Sequence, residues 1–426
     1  MKKILVSLKQ YLNLDTAFAI LALLTVFLSH ISTIFKIYSI SSLFFSASFV
    51  VLVLWLIAHV LKWIYSVYKG TGVLIPSETI STFLLICASL WMMFTLLYTT
   101  PFSSFSLDYF RKAIITLCFL YSMHLFAFSN FKSRTIKNVL CVGNMLFGLL
   151  ILGSYFIGIS KSYIASGLSL NYQNPNYTGL VLSSLTLFLL YSFYYYKNVI
   201  IKLLAILIAI GITILNYWTR CRSGFIAILL IGICLIWIFR RINNKNKHGV
   251  SFNIVLVLSP LLILCIYMLV GERTNFLAIL DKYLGGISKS FSTRLYPWER
   301  GFTYFFINPA LGSYYQSTID SVGMLSGYQN GLFDVLIEQG IIFFIFFILA
   351  VINVFLYAYE RVFVNRSLNN FLSYGILTFV IFSMIFDSGG ILGLNGWYVM
   401  MFAPLSLFDG YIVKKHLKVS LKSIKI

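Results

Sequence analysis

The chain has 426 residues, 60% of them hydrophobic and only 10% charged, with a mean hydropathy of +0.90. Apolar runs of roughly 20 residues, each long enough to cross a ~30 Å hydrocarbon layer as a helix, recur along it, which excludes a soluble globular protein. The formal net charge of +20 would suit nucleic acid, but in so apolar a chain the placement of charge decides, and no nucleic-acid partner is expected.

Runs such as "VLVLWLIAHVL" (51–61) do not alternate in polarity, as the strands of a membrane β-barrel would. The sequence therefore predicts an all-α polytopic membrane protein, one integral membrane domain over 1–426. About twelve spans are expected, centred near residues 25, 52, 88, 120, 149, 187, 208, 231, 260, 345, 377 and 400. The opening "MKKILVSLKQ" resembles the basic start of a signal peptide. It lacks a small-residue cleavage site, and is read as leading into a retained first helix.

Charge orients the spans. With the N-terminus inside, about two thirds of the 32 Lys and Arg fall on the inner side, including Lys132/Arg134/Lys137 and Arg240/Arg241/Lys245/Lys247. Both termini are expected to be cytoplasmic. The six cysteines (87, 118, 141, 221, 234, 265) lie in apolar spans or at a span's edge, with no CxxC or Cys/His spacing. They are expected to be small packing residues.

"NYQNPNYTG" (171–179) opens the sixth span from the outside. Asn174-Pro175-Asn176 gives a turn and a helix cap, or alternatively two amides for sugar hydroxyls. "NYWTRCRSG" (216–224) follows the seventh span and sets Arg220 and Arg222 on the outer face. Two residues apart on a helix lie about 200° apart, so one ligand takes one arginine unless the helix unwinds. By that geometry Arg222 is the first choice and Arg220 the reserve. A single arginine here is better explained by snorkelling to headgroups or simple solvation. With Arg294 and Arg300 in the loop that follows, phosphate recognition becomes the better reading.

Between the ninth and tenth spans lies a long outer loop, 271–330. Its segment "STRLYPWERGFTYFFINPALG" (292–312) is too patterned for disorder. After Pro297, residues Trp298, Phe302 and Phe305/Phe306 share one helical face, and Asn308-Pro309 ends the run. A short amphipathic helix is expected, lying on the membrane or packed on the bundle. Asp334 and Glu338, four apart, share one face of the tenth span near its outer end, and suit either a general base or ion pairs with the loop arginines. Neither HExxH, nor a Ser/His/Asp set, nor a phosphate-binding GxxxxGK[ST] loop occurs.

Taken in order, these pieces resemble the O-antigen ligase and polymerase superfamily (Wzy-type polymerases and their ligase relatives) over roughly residues 171–350. That family has an Asn-Pro-Asn turn before a span, then a Ser-Arg-Ser-Gly-like helix start, similar to "RCRSG". In its outer loop an Arg precedes an aromatic helix, Asn-Pro and a glycine turn. It closes with His-Asn, spaced leucines and Glu-x-Gly, to which "YQNGLFDVLIEQGIIFF" (328–344) is similar. The family's His is Gln329 here, which cannot act as a base. That departure favours a polymerase of the capsule or exopolysaccharide type over a ligase.

The resemblance implies a GT-C-like bundle in the bacterial cytoplasmic membrane, working without ATP, metal or cofactor on an undecaprenyl-pyrophosphate-linked oligosaccharide at the outer face. It implies Arg222 and Arg294 as pyrophosphate ligands, with Arg220 and Arg300 as second choices, and Glu338 or Asp334 as the base. Asn174, Asn176, Gln329 and Asn330 would meet substrate, and Tyr296 and Trp298 would stack on sugars. Membrane lipid, a flippase and a chain-length regulator are the partners it implies. The rival from another class is a polysaccharide flippase.

Overall fold

The computed structural model describes residues 13–68, 76–99, 107–164, 167–172, 174–221, 253–258, 301–312, 331–386 and 396–408, with the single positions 228 and 232. These residues are mostly helical. In chain order they form α1 (Leu14–Ile34), α2 (Tyr38–Tyr68), α3 (Pro76–Thr99), α4 (Leu107–Phe128), α5 (Ser133–Phe156), α6 (Pro175–Tyr195) and α7 (Val199–Trp218). After short helical stretches at 253–258 and 301–307 come α8 (Gly331–Val364), α9 (Leu368–Phe386) and α10 (Tyr398–Phe402), the last running into a 3₁₀ turn, Ala403–Leu407.

Among the described residues, seven helices are long and apolar enough to cross a membrane: α1, α2, α3, α5, α6, α7 and α8. Three shorter apolar helices cover 114–128, 368–384 and 398–407. The chain is thus a multi-pass helical membrane protein, and ten of the expected centres coincide with these helices. The span expected near 231 and most of the one near 260 lie outside the described residues, as does most of the 271–330 loop.

Local chemistry sets the helix ends. Asn13, Asn174 and Asn198 each occupy an N-cap, their side-chain oxygens accepting from Thr16 N, Asn176 N and Ile200 N; each bond satisfies an N–H the helix cannot. Residue Lys36 stops α1 in the left-handed region (φ 62°), with Ile37 N donating to Ser32 O at 2.8 Å. Within the spans, hydroxyls return their hydrogens to the helix's own carbonyls, as Thr25 does to Ala22 O, Ser184 to Val181 O and Ser383 to Val380 O. That solution suits a medium without water.

The core is aromatic. Trp55, Phe119, Phe147, Phe347 and Trp397 are almost wholly buried, whereas Leu43, Leu54, Leu90 and Leu207 point outward. Such leucines are expected where helices meet lipid.

Contacts distinguish the two ends of the bundle. At one end the start of α1, the end of α2, and the α4–α5 connection meet: Asp15 takes Lys62 Nζ at 3.1 Å and Asn130 N at 3.1 Å. Asn353 of α8 donates to Ser77 O at the start of α3, at 2.8 Å, so the second half of α8 belongs to this end. At the other end Asn171 donates to Ile34 O at 2.6 Å and Tyr38 donates to Asn171 O at 3.2 Å. By the charge reading the first end is cytoplasmic and the second outer. The α5–α6 connection, at this second end, is pinned by a two-residue hairpin, Tyr163–Ile164 against Gly167–Leu168, antiparallel with Tyr163 opposite Leu168.

Candidate functional site

Motifs far apart in sequence meet in two joints. The first ties the Asn-Pro-Asn turn to the arginine segment. Helix α7 ends at Trp218 with Thr219 as its C-cap, and Arg220 takes the left-handed conformation (φ 59°). The unwinding alternative is the one realised, so the 200° argument for choosing between Arg220 and Arg222 does not apply. Thr219 steers the turn: its hydroxyl donates to Asn216 O at 2.7 Å and accepts from Cys221 N at 3.1 Å.

This turn exposes Arg220 and buries Cys221 to 1% exposure. The Cys221 thiol donates to Asn176 O at 3.4 Å. A Cβ on Gly179 would collide with the Cys221 side chain, and one on Gly167 would lie 2.7 Å from Thr219 O. Two glycines therefore let the arginine segment lie directly on the start of α6. Within the turn the Asn174 side chain accepts from Asn176 N at 2.8 Å; its oxygen serves the cap.

The second joint ties the outer loop to α8. The 301–307 helix ends in a turn at 308–311, closed by Gly312 N donating to Asn308 O at 2.9 Å. Gly340 breaks α8 with φ 77° and ψ 171°, a conformation almost confined to glycine. The turn fills that break: Ile341 N donates to Pro309 O at 2.8 Å. A Cβ on Gly312 would lie 2.5 Å from Gly340 N, and one on Gly340 2.6 Å from Gly312 N. "NPALG" and "EQG" thus meet backbone to backbone.

The described helical stretch 301–307 packs on α8. Phe305 is buried and Phe302 meets Phe333 edge-on at 5.1 Å, while Phe306 and Ile307 are each 73% exposed. Asp334 and Glu338 lie part-exposed on the first part of α8, residues 331–339. Beside them Gln339 is 2% exposed, and its Nε2 has no hydrogen-bond partner among the described residues.

A third feature was not singled out by the sequence reading. His30 is fully buried, with Tyr172 OH at 2.7 Å from its Nδ1. The rings of Phe147, Tyr172, Tyr177 and Trp397 surround it, Trp397 at 4.6 Å. Burial pushes the Tyr172 phenol well above its ordinary range, so it stays neutral and available as a hydrogen-bond donor. Trp397 Nε1 donates to Ser184 Oγ at 2.6 Å. The signal available in the sequence was one His near the outer end of a span, facing an aromatic-rich "NYQNPNY".

Arg222, Arg294, Arg300, Tyr296, Trp298, Gln329 and Asn330 lie outside the described residues. Among the described residues no three His, Cys, Asp or Glu side chains are grouped so as to hold a metal ion. No protein-family model matches the chain, and no curated protein matches it. One joint, then, fastens an arginine-bearing turn to the start of α6, and another fastens an aromatic loop helix to the half-helix that carries two carboxylates. Cations for an anionic group and carboxylates for a hydroxyl proton are the chemistry these residue types offer.

Proposed function

We propose that the chain is a metal-independent glycosyltransferase that polymerises polyprenyl-pyrophosphate-linked oligosaccharide units at the outer face of the bacterial cytoplasmic membrane. Capsule, exopolysaccharide or O-antigen is the product class. The observation that carries the reading is the pairing of the four motifs. The Asn-Pro-Asn turn meets Cys221, next to Arg220, and Asn-Pro-Ala-Leu-Gly meets Glu-Gln-Gly. Chance matches scattered along a transporter would not be expected to meet in this way.

In this reading an acceptor sugar hydroxyl attacks the donor's anomeric carbon. The new glycosidic C–O bond forms as the bond to pyrophosphate breaks, and polyprenyl pyrophosphate leaves with the electron pair. Arg222 and Arg294, seconded by Arg220 and Arg300, offset the growing negative charge. Glu338 or Asp334 takes the hydroxyl proton. Asn176, Gln329 and Asn330 offer amides to the sugars, while Tyr296 and Trp298 offer ring faces. The acceptor distinguishes this polymerase from a ligase, and Gln329 in place of a basic His favours the polymerase.

One observation bears on a transporter instead. Broken helices and buried charge mark transport sites, and α8 is broken at Gly340. Here, however, the break is filled by the Pro309–Gly312 turn, which leaves its backbone joined to protein rather than to a solute. Replacing Arg222 or Arg294 by Ala is expected to abolish polymer while single lipid-linked units accumulate on the outer leaflet. Normal chain lengths in both variants would refute the mechanism, and units trapped on the inner leaflet of a deletion strain would point to a flippase.

A further inference from the structure

At the end of the bundle where Asp15 meets Lys62, the start of α5, the end of α6 and the start of α7 come together. Lys132 N donates to Thr16 Oγ1 at 2.9 Å, and Tyr195 OH, in the last turn of α6, donates to Asn138 Oδ1 at 3.3 Å. Lys202 of α7 rests its ammonium over the Phe193 ring of α6, at 5.5 Å. Further along, α5 and α7 pack directly. A Cβ on Gly148 would lie 2.6 Å from Ile208 Cγ2, and one on Gly211 3.0 Å from the Leu152 side chain.

Cations crown this junction. Lys132, Arg134 and Lys197 are exposed and Lys202 is half-buried; Lys137, further along α5, is buried. The ion pairs among the described residues are His59–Glu78 and Lys62–Asp15, so none of Lys132, Arg134, Lys197 and Lys202 is neutralised by a described carboxylate. Another acid, Glu360, sits on α8, which packs on α3, α4 and α9. Below the cations the surface is aliphatic. Arg134, Asn138, Val142, Leu146 and Leu149 follow one another at the spacing of one helical face, and all are exposed. On α7, Leu203, Leu204 and Leu207 are exposed as well. In a bilayer these leucines meet acyl chains, and the charges above them fall at the level of the headgroups.

We propose that the α5–α7 junction binds one anionic phospholipid. Arg134, Lys197 and Lys202 hold its phosphate, with Lys132 beside them, and an acyl chain lies along Val142, Leu146 and Leu149. Charge complementarity selects the occupant. A zwitterionic headgroup brings its own cation, which the cluster repels, whereas a headgroup of net negative charge offsets the cations that the described carboxylates leave uncompensated. Arginine adds a planar fork matched to phosphate oxygens. Each Lys or Arg beside such a headgroup is worth about a fivefold change in affinity. The site is independent of the glycosyl transfer proposed above, and of which leaflet this end meets.

Native mass spectrometry of the full chain tests it, after delipidation in detergent and addition of phosphatidylglycerol or phosphatidylcholine at equal concentration. The parent chain is expected to bind phosphatidylglycerol at least about tenfold more tightly. Arg134→Gln/Lys197→Gln/Lys202→Gln is expected to lose that preference. Lys36→Gln/Lys161→Gln, which removes two exposed cations at the opposite end, is expected to keep it. Equal affinity for the two lipids in the parent, a preference that survives the triple variant, or an equal loss in the double variant would each overturn the site. A photoactivatable phosphatidylglycerol gives a second reading on the unaltered chain. Crosslinks within 132–149 or 197–207 are expected, and crosslinks that spare both segments would overturn the proposal.

Discussion

Cys221 and Gly179 show how little room the joint between α6 and α7 allows a single side chain. The thiol is buried where the start of α6 leaves no space for a Cβ. Gly179→Ala is therefore expected to destabilise the chain by about 1–3 kcal/mol, the usual cost of overpacking. Adding Cys221→Gly should recover most of that loss, since it removes the atoms in the way. Melting temperatures of the two single variants and the double variant in detergent give the comparison. Additive losses would mean that the two residues do not share the niche. At this scale the sequence was partly informative. Cys221 was legible as a packing residue from its position at a span's edge, and Asn174 as a cap from the proline after it. What it packs against was not legible, because Gly179 lies 42 residues upstream and a glycine one turn into a helix carries no mark of its partner.

Helices were legible at the level of elements, and the joints between them were not. Continuous apolar runs announce a span whatever it packs on, which is why the described helices fall on the expected centres. The break in α8 left no such trace. Gly340 sits between Gln339 and four apolar residues, Ile341 to Phe344, a context in which a glycine usually continues the helix at modest cost. Only the docked turn at Pro309–Gly312 makes the break necessary. Gly340→Ala is expected to cost about 1–3 kcal/mol of backbone strain, beyond the clash with the turn. Gly331→Ala is the control. It lies in the same helix, where a Cβ would first meet the flexible Met384 side chain at 3.4 Å, and a change within about 0.5 kcal/mol is expected. Equal losses in the two variants would remove the special role assigned to position 340. The Asp334/Glu338 pair was legible from its spacing. That it belongs to a separate half-helix, packed on the loop through Phe302 and Phe333, was not.

For the whole molecule, everything said about an outer site depends on which end faces out. Cysteines placed at the exposed positions 36, 161, 134 and 366 in a cysteine-free chain test this in intact cells. A membrane-impermeant thiol reagent is expected to label 36 and 161 and to spare 134 and 366. The reverse pattern would turn the arginine face toward the cytoplasm and end the proposed reaction. The packing around His30 has a further consequence, in the order of synthesis. His30 belongs to the first described helix, yet its closest ring is Trp397. At ~5–20 residues per second, about 360 more residues and tens of seconds separate the two on the ribosome. Through that interval Tyr172, made much earlier, can already occupy His30 Nδ1. The nascent bundle thus carries an open slot beside α1 until Trp397 is made. A chain cut short before Trp397 would lack the piece that seals it.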